Sequence, residues 1–217
     1  MTSPTDRPPV HESLNVVDSE SVYRNEEWWK SVVKYQFEES SDNSEVAVYL
    51  WHHDDGWTRK NKYVVKTLEA WATDRETITW LLSDDTTEPD ESLTAEYPVN
   101  EYYGVAAGET IFRSDSWWKA ILNVGKKGDY ETNEVMVYLW QKRDGDWKRR
   151  QKYTVKSMDD LEEEGNLIES MFERDASIQP TSSDDGGDQR LPRPPKQPKQ
   201  TSSALDTHLS DSLTRSE

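Results

Sequence analysis

Glu45-Val46-Ala47-Val48-Tyr49-Leu50-Trp51 returns, with one letter changed, as Glu134-Val135-Met136-Val137-Tyr138-Leu139-Trp140. Working outward, the likeness continues. Arg24 and Trp28-Trp29-Lys30 precede the first run, and Arg113 and Trp117-Trp118-Lys119 precede the second. Asp55-Gly56 and then Trp57-Thr58-Arg59-Lys60-Asn61-Lys62-Tyr63-Val64-Val65-Lys66 follow the first; Asp144-Gly145 and then Trp147-Lys148-Arg149-Arg150-Gln151-Lys152-Tyr153-Thr154-Val155-Lys156 follow the second. The register runs without a gap from Arg24 to Gly56, and one added residue, Asp146, falls in a turn, where an insertion is tolerated. The chain is a tandem duplication of one tryptophan-rich module.

Val46 to Trp51 alternates at period two and is rich in β-branched and aromatic residues, which predicts a strand. The Asp-Gly turns then bring the chain back as the second arm of a hairpin. Trp28, Trp29, Val32, Val33 and Phe37 fit a helical face as well as a strand; the exit of the aligned segment through Lys126-Lys127-Gly128 favours a strand. Thr67 and Ser157 stand at helix N-cap positions, and Ser157 with Asp160 matches a capping box. Leu68, Trp71, Ile78 and Leu81 form the buried stripe of one helix, and Met158, Leu161, Ile168 and Phe172 that of the next. The expected fold is α+β: two modules, each a small antiparallel sheet followed by one helix, packed as a pseudo-dimer within one monomeric chain. The expected division is a disordered N-terminus at 1–21, copy one at 22–82, a linker at 83–110, copy two at 111–174 and a disordered tail at 175–217. A short extra strand is possible at Val22-Tyr23 and Ile111-Phe112.

Composition narrows the function. Only 33% of the 217 residues are hydrophobic, and 43 acidic residues face 26 basic ones for a net charge of -17; mean hydropathy is -1.02. Such values point to disorder, but 10 Trp and 10 Tyr supply large apolar surface, so compact cores lie under an acidic exterior. The acids are dispersed, which fits solubility in a salt-rich cytoplasm better than repulsion of phosphate, and the composition resembles that of haloarchaeal proteins. With no cysteine there is no disulfide frame, thiolate metal site or cysteine nucleophile. No basic-then-apolar leader opens the chain, and no segment approaches the ~20 apolar residues of a membrane span, so a cytoplasmic location without membrane contact is expected. Of the four histidines, His52 and His53 become Gln141 and Lys142 in the twin, and no nucleotide loop or metal spacing is present; neither an enzyme nor a cofactor is expected.

Residues 57–66 and 147–156 contain basic side chains and no acid. In so acidic a chain this singles them out. Alternation puts Lys60, Lys62 and Lys66 on one strand face, with Lys148, Arg150, Lys152 and Lys156 on the same face of the twin; Trp57, Tyr63 and Val65 take the core face. Val46, Val48 and Leu50 point toward the helix, leaving Tyr49, Trp51, Tyr138 and Trp140 on the opposite side. Lys30 and Lys119 join the candidate surface. Rings with cations on one sheet face suit single-stranded DNA or RNA, because rings stack on unpaired bases at ~1–3 kcal/mol each while cations follow the phosphates.

The run Glu45 to Trp51, the Asp55-Gly56 turn, the basic returning strand and the helix bearing Trp71 resemble the single-stranded DNA-binding domain of the transcriptional coactivator family typified by positive cofactor four, a Whirly-like sheet-plus-helix unit. The resemblance covers about 60 residues per copy and implies a curved sheet, one helix, pairing into dimers and a role in transcription or in replication and repair. It places the family's stacking tryptophan at Trp51 and Trp140 and its basic residues near Lys60, Lys62, Arg150 and Lys152. The family's glycine-containing turn before the last strand has no counterpart at Arg59-Lys60-Asn61-Lys62 or Arg149-Arg150-Gln151-Lys152. A protein-binding module is the alternative, since exposed Trp, Tyr and Arg also form protein hot spots. The tail, with Pro-Arg-Pro-Pro-Lys and then Leu205, Leu209 and Leu213, is read as unstructured, with a protein partner as its possible binding role.

Overall fold

Successive side chains of a strand point to opposite sheet faces, and in the computed structural model the central strands of both copies are buried on both faces. It describes residues 7–37, 44–84, 88–126 and 128–176. Strands β1 (Asn15–Arg24), β2 (Trp28–Gln36), β3 (Glu45–His53) and β4 (Trp57–Val65) form one antiparallel sheet in that order. Helix α1 (Leu68–Ser83) and short α2 (Glu91–Glu96) follow; β5 (Tyr103–Arg113), β6 (Trp117–Lys126), β7 (Asp129–Arg143) and β8 (Asp146–Val155) form the second four-stranded sheet, and α3 (Met158–Ala176) follows it. The protein is therefore mixed α+β with two sheet modules. The tail, with Leu205, Leu209 and Leu213, lies outside the described residues.

Residues 28–36 are a strand, since Trp29 pairs with Trp51, Ser31 with Tyr49 and Val33 with Ala47. The suggested extra strands are full ones. β1 begins at Asn15, before the expected boundary at 22, and β5 at Tyr103, before 111. Their signal was weak because Asp18, Ser19, Glu20 and Ser21 suit an edge strand, which β1 is, and bulges interrupt its alternation between Val16 and Asp18 and between Ser21 and Tyr23. Given these strands, the repeat itself extends further back: Pro9-Val10, Val16, Glu20, Val22 and Tyr23 answer to Pro98-Val99, Val105, Glu109, Ile111 and Phe112 in the register of Arg24 and Arg113.

Thr67 caps α1 by accepting from the Ala70 N–H, and Ser157 Oγ accepts from the Asp160 N–H at 3.1 Å. Trp71, Ile78 and Leu81 are buried, as are Leu161, Ile168 and Met171; Leu68 and Met158, expected in the stripes, are exposed at the first residue of each helix. Each helix lies across the sheet of the other copy: α1 packs on β5, β6 and β7, and α3 on β1, β2 and β3. One core therefore contains Val32, Val46, Val48, Tyr63, Trp71 and Ile78 together with Ile121, Val135, Val137, Tyr153, Leu161 and Ile168. The polar contacts across it are reciprocal. Lys30 pairs with Glu164, and its counterpart Lys119 pairs with Asp74; Tyr63 donates to Asp74. Lys34 Nζ donates to the Met171 carbonyl at 2.6 Å, and Asn123 Nδ2 to the Leu81 carbonyl at 3.5 Å. Tyr63 and Tyr153 stack between them, 4.9 Å apart and 11° from parallel.

The opposite face of each sheet is covered too. Val10 and Leu14 pack over the rings of copy one, and Leu93, Tyr97 and Val99 over those of copy two. Helix α2, within the expected linker, is fixed there: Asp90 caps it through the Ser92 and Leu93 N–H groups. Its anchor to β5 is a pair of 2.8 Å bonds, from the Asp90 N–H to the Val105 carbonyl and from the Val105 N–H to Thr94 Oγ1. Gly108 makes room for this cover, since a Cβ there would meet Leu122 Cδ2 at 2.5 Å and Tyr97 Cε2 at 3.3 Å.

Candidate nucleic-acid interface and the clefts between the copies

The outer face of each sheet combines rings and cations, as alternation predicts. Tyr49 stacks on Trp51 at 5.0 Å and 6°, and Tyr138 on Trp140 at 4.9 Å and 14°. Trp29 lies 5.6 Å from both Trp51 and Trp57; Trp118 lies 5.4 Å from Trp140 and 5.7 Å from Trp147. Arg24 sits 4.0 Å above Trp29 and Arg113 4.0 Å above Trp118. The covering segments change what this face can do. Trp51 and Trp140 are each 1% exposed, Tyr49 1% and Tyr138 3%. Rings so placed present no face to a base, so in this structure these four are core residues. Alternation assigns a side chain to a face; it cannot reveal that a segment such as Val10–Leu14 closes over it.

On the basic strands a bulge intervenes. Tyr49 pairs with Lys62 and Leu50 with Asn61, but Trp51 pairs with Arg59, so Lys60 is left over. Leu139 and Trp140 show the same shift, which leaves out Arg150. Alternation therefore reverses within the strand. Trp57, Arg59 and Lys62 share the outer face, and Trp57 is no longer on the side of Tyr63. Lys62 lies over the Tyr35 and Tyr49 rings and donates to Tyr35 Oη at 2.8 Å; Lys152 lies over Tyr103 and Tyr138. Burial lowers the pKa of Lys62 and pushes Lys152 down to about 8, with Arg149 adding to the latter. Burial likewise lifts Tyr49 to about 12.

The other cations divide cleanly. Lys30 and Lys119 lie on the core face in the ion pairs already described and are not part of any outer surface. Lys148 is exposed beside Asp146 at 3.1 Å, and Lys156 beside Glu134 at 3.6 Å. Arg59, Lys60, Lys66, Arg149 and Arg150 are exposed and make no ion pair among the described residues. Strands β4 and β8 meet side by side, with the Val64 N–H donating to Gln151 Oε1 at 2.8 Å, which brings the two acid-free segments together.

Sequence reasoning did not find a pair of clefts where the copies meet. One, of about 710 Å³, is lined by Tyr23, Trp28, Asn61, Tyr153, Asp160 and Glu163 over the Lys30–Glu164 pair. The other, of about 500 Å³, is lined by Phe112, Trp117, Gln151, Tyr63 and Ala70 over the Lys119–Asp74 pair. They occupy equivalent places in the two copies. The signal was present in the Trp28-Trp29 and Trp117-Trp118 doublets, because adjacent residues of a strand must face opposite ways. No family model matches the chain, and no curated protein matches it. Among the described residues no helix is long and apolar enough to cross a membrane.

Proposed function

We propose that the chain is a non-catalytic, single-stranded nucleic-acid-binding protein, as the resemblance to the positive cofactor four family implies, and that its two copies form an internal pseudo-dimer. The reciprocal Lys30–Glu164 and Lys119–Asp74 pairs and the exchange of helices between sheets support the pairing. One observation carries the binding reading. Arg59, Lys60, Arg149 and Arg150 stand exposed on two adjoining strands, with Lys66 just past the end of the first, and residues 57–66 and 147–156 bear no acid in a chain of net charge -17. Cations without an ion pair among the described residues, at one seam of an otherwise anionic surface, favour a polyanion, and β-sheet platforms of this kind follow a phosphate backbone.

With Trp51 and Trp140 in the core, affinity rests on phosphate contacts and falls with salt. Four such contacts on a single strand give a log–log slope of about -3, at ~0.7 per contact. The test is fluorescence anisotropy of a labelled single-stranded oligonucleotide across salt concentrations. Changing Arg59, Lys60, Arg149 and Arg150 together to Gln should flatten the slope and weaken low-salt binding at least tenfold. No binding at low salt, or a variant equal to the parent, would sink the proposal. A protein-binding role would then take its place, supported by the exposed rings of Trp80 and Tyr102.

A further inference from the structure

The two clefts flank the seam at which β4 and β8 meet. The first takes Asn61 from β4 with Tyr153 and Thr154 from β8; the second takes Val64 and Val65 from β4, Lys66 just beyond it, and Gln151 from β8. Their walls use the same positions, since Tyr23 and Trp28 in the first answer to Phe112 and Trp117 in the second. The helices make them different. Where α3 carries Asp160 and Glu163, α1 carries Ala70 and Thr73. Among the described residues the first lining therefore holds four carboxylates against three lysines. The second holds one carboxylate, Asp74, against Lys66 and Lys119. Because Lys119 pairs with Asp74, the charge left over in the second cleft is the exposed ammonium of Lys66.

The rings differ as well. Trp28 pairs across the sheet with His52, whose imidazole meets its ring at 4.5 Å and 62°. Trp117 pairs instead with Gln141, and it has no ring partner among the described residues. It is partly exposed, and Phe112 beside it is 46% exposed. The second cleft thus joins an unstacked indole to the cations of the seam. That combination suits a planar ring carried by an anion.

We infer that a single strand lying on the seam turns one unstacked base into the second cleft, against Trp117 and Phe112 and with its phosphate on Lys66, while the first cleft takes none. The inference rests on the nucleic-acid reading above and gives it a base contact that the buried Trp51 and Trp140 do not supply. Stacking on an aromatic side chain is tolerant of sequence, because every base has a π-face. The excess carboxylate of the first cleft repels the phosphate that accompanies a base. The second cleft, at about 500 Å³, lies within the ~300–1,000 Å³ of small-ligand sites. A nearly symmetric protein therefore holds its strand asymmetrically, by one base at one end of the seam.

Fluorescence anisotropy of the full chain at low salt, with a labelled oligothymidylate and with the same backbone made abasic, tests this. The parent should bind the base-bearing strand at least about fivefold more tightly than the abasic one, as one stacked base provides. Trp117→Ala should lose that preference and keep its affinity for the abasic strand. Trp28→Ala, which removes a ring from the equivalent position, should retain the preference. Ala70→Asp with Thr73→Glu places on two exposed positions the acids that α3 carries, and should weaken the base-bearing strand more than the abasic one. The abasic strand reports the phosphate contacts alone, which separates the two readings. A parent that binds neither strand overturns the nucleic-acid reading and this inference with it. Equal parent affinity for both strands, or the same preference in Trp117→Ala as in Trp28→Ala, overturns the base cleft and leaves the cation seam standing.

Discussion

Trp140 touches Tyr138 and Trp118 ring to ring in a buried layer, so its removal is a packing event. Trp140→Ala should cost about 3–5 kcal/mol in urea denaturation, the usual range for a buried tryptophan. The folded fraction should still bind oligonucleotide as the parent does; selective loss of binding with unchanged stability would return the ring to the surface. Lys152 offers a second measurement. Its pKa of about 8 in the folded chain lies below the ordinary 10.5 of the unfolded one. Between those values the unfolded state holds a proton that the folded state has lost, so stability from this group rises with pH across about 8 to 10.5 and is absent below. The stability gap between the parent and Lys152→Met should move in the parent's favour over that window. A constant gap would show that the ammonium pays no burial cost.

At the scale of elements, the covering segments decide which sheet faces are free. The cover of copy one is an N-terminal arm in which Leu14 is 8% exposed; that of copy two is α2 with Tyr97. Leu14→Asp removes about 1.5–3 kcal/mol of apolar burial and should raise the fluorescence of a hydrophobic dye as the Trp29 and Trp51 rings become accessible. Unchanged stability and dye response would mean that the arm contributes nothing to closure. Asp90→Ala should cost about 1 kcal/mol through loss of the α2 cap. The cover of copy one was not legible beforehand. Leu14 and Val10 have little periodicity around them, and what fixes them is contact with a sheet whose strands continue to residue 65. The hairpins were legible, because Val46 to Trp51 and the Asp-Gly turns carry their instructions locally. Asp144 and Gly145, with φ of 54° and 90°, form the left-handed two-residue turn that Asp-Gly favours.

For the whole molecule, the buried Lys30–Glu164 and Lys119–Asp74 pairs tie each sheet to the helix of the other copy. Lys30→Met leaves the Glu164 carboxylate buried without its cation and should cost about 3–5 kcal/mol, whereas Lys30→Met with Glu164→Met should recover most of it. A double-mutant cycle measures this, and additive losses would show that the two groups are not coupled. Expressed alone, residues 7–84 would expose Val32, Val46, Val48 and the Trp71 face of α1. That piece should self-associate or fail to fold in size-exclusion chromatography; a stable monomer would contradict the shared core.

The duplication, the hairpins, the helix caps and the α+β class follow from the sequence by itself, because each is specified by neighbours within about ten residues. The inward side of Val46, Val48 and Leu50 is likewise a matter of alternation. Tertiary structure alone decided that Trp51 and Trp140 are core, that Lys30 and Lys119 are ion-paired across the copies, and that α1 and α3 exchange sheets. Those outcomes depend on which distant surface arrives. An identical pattern of rings and cations is an open binding face when nothing covers it, and a second core when Leu14 or Tyr97 does.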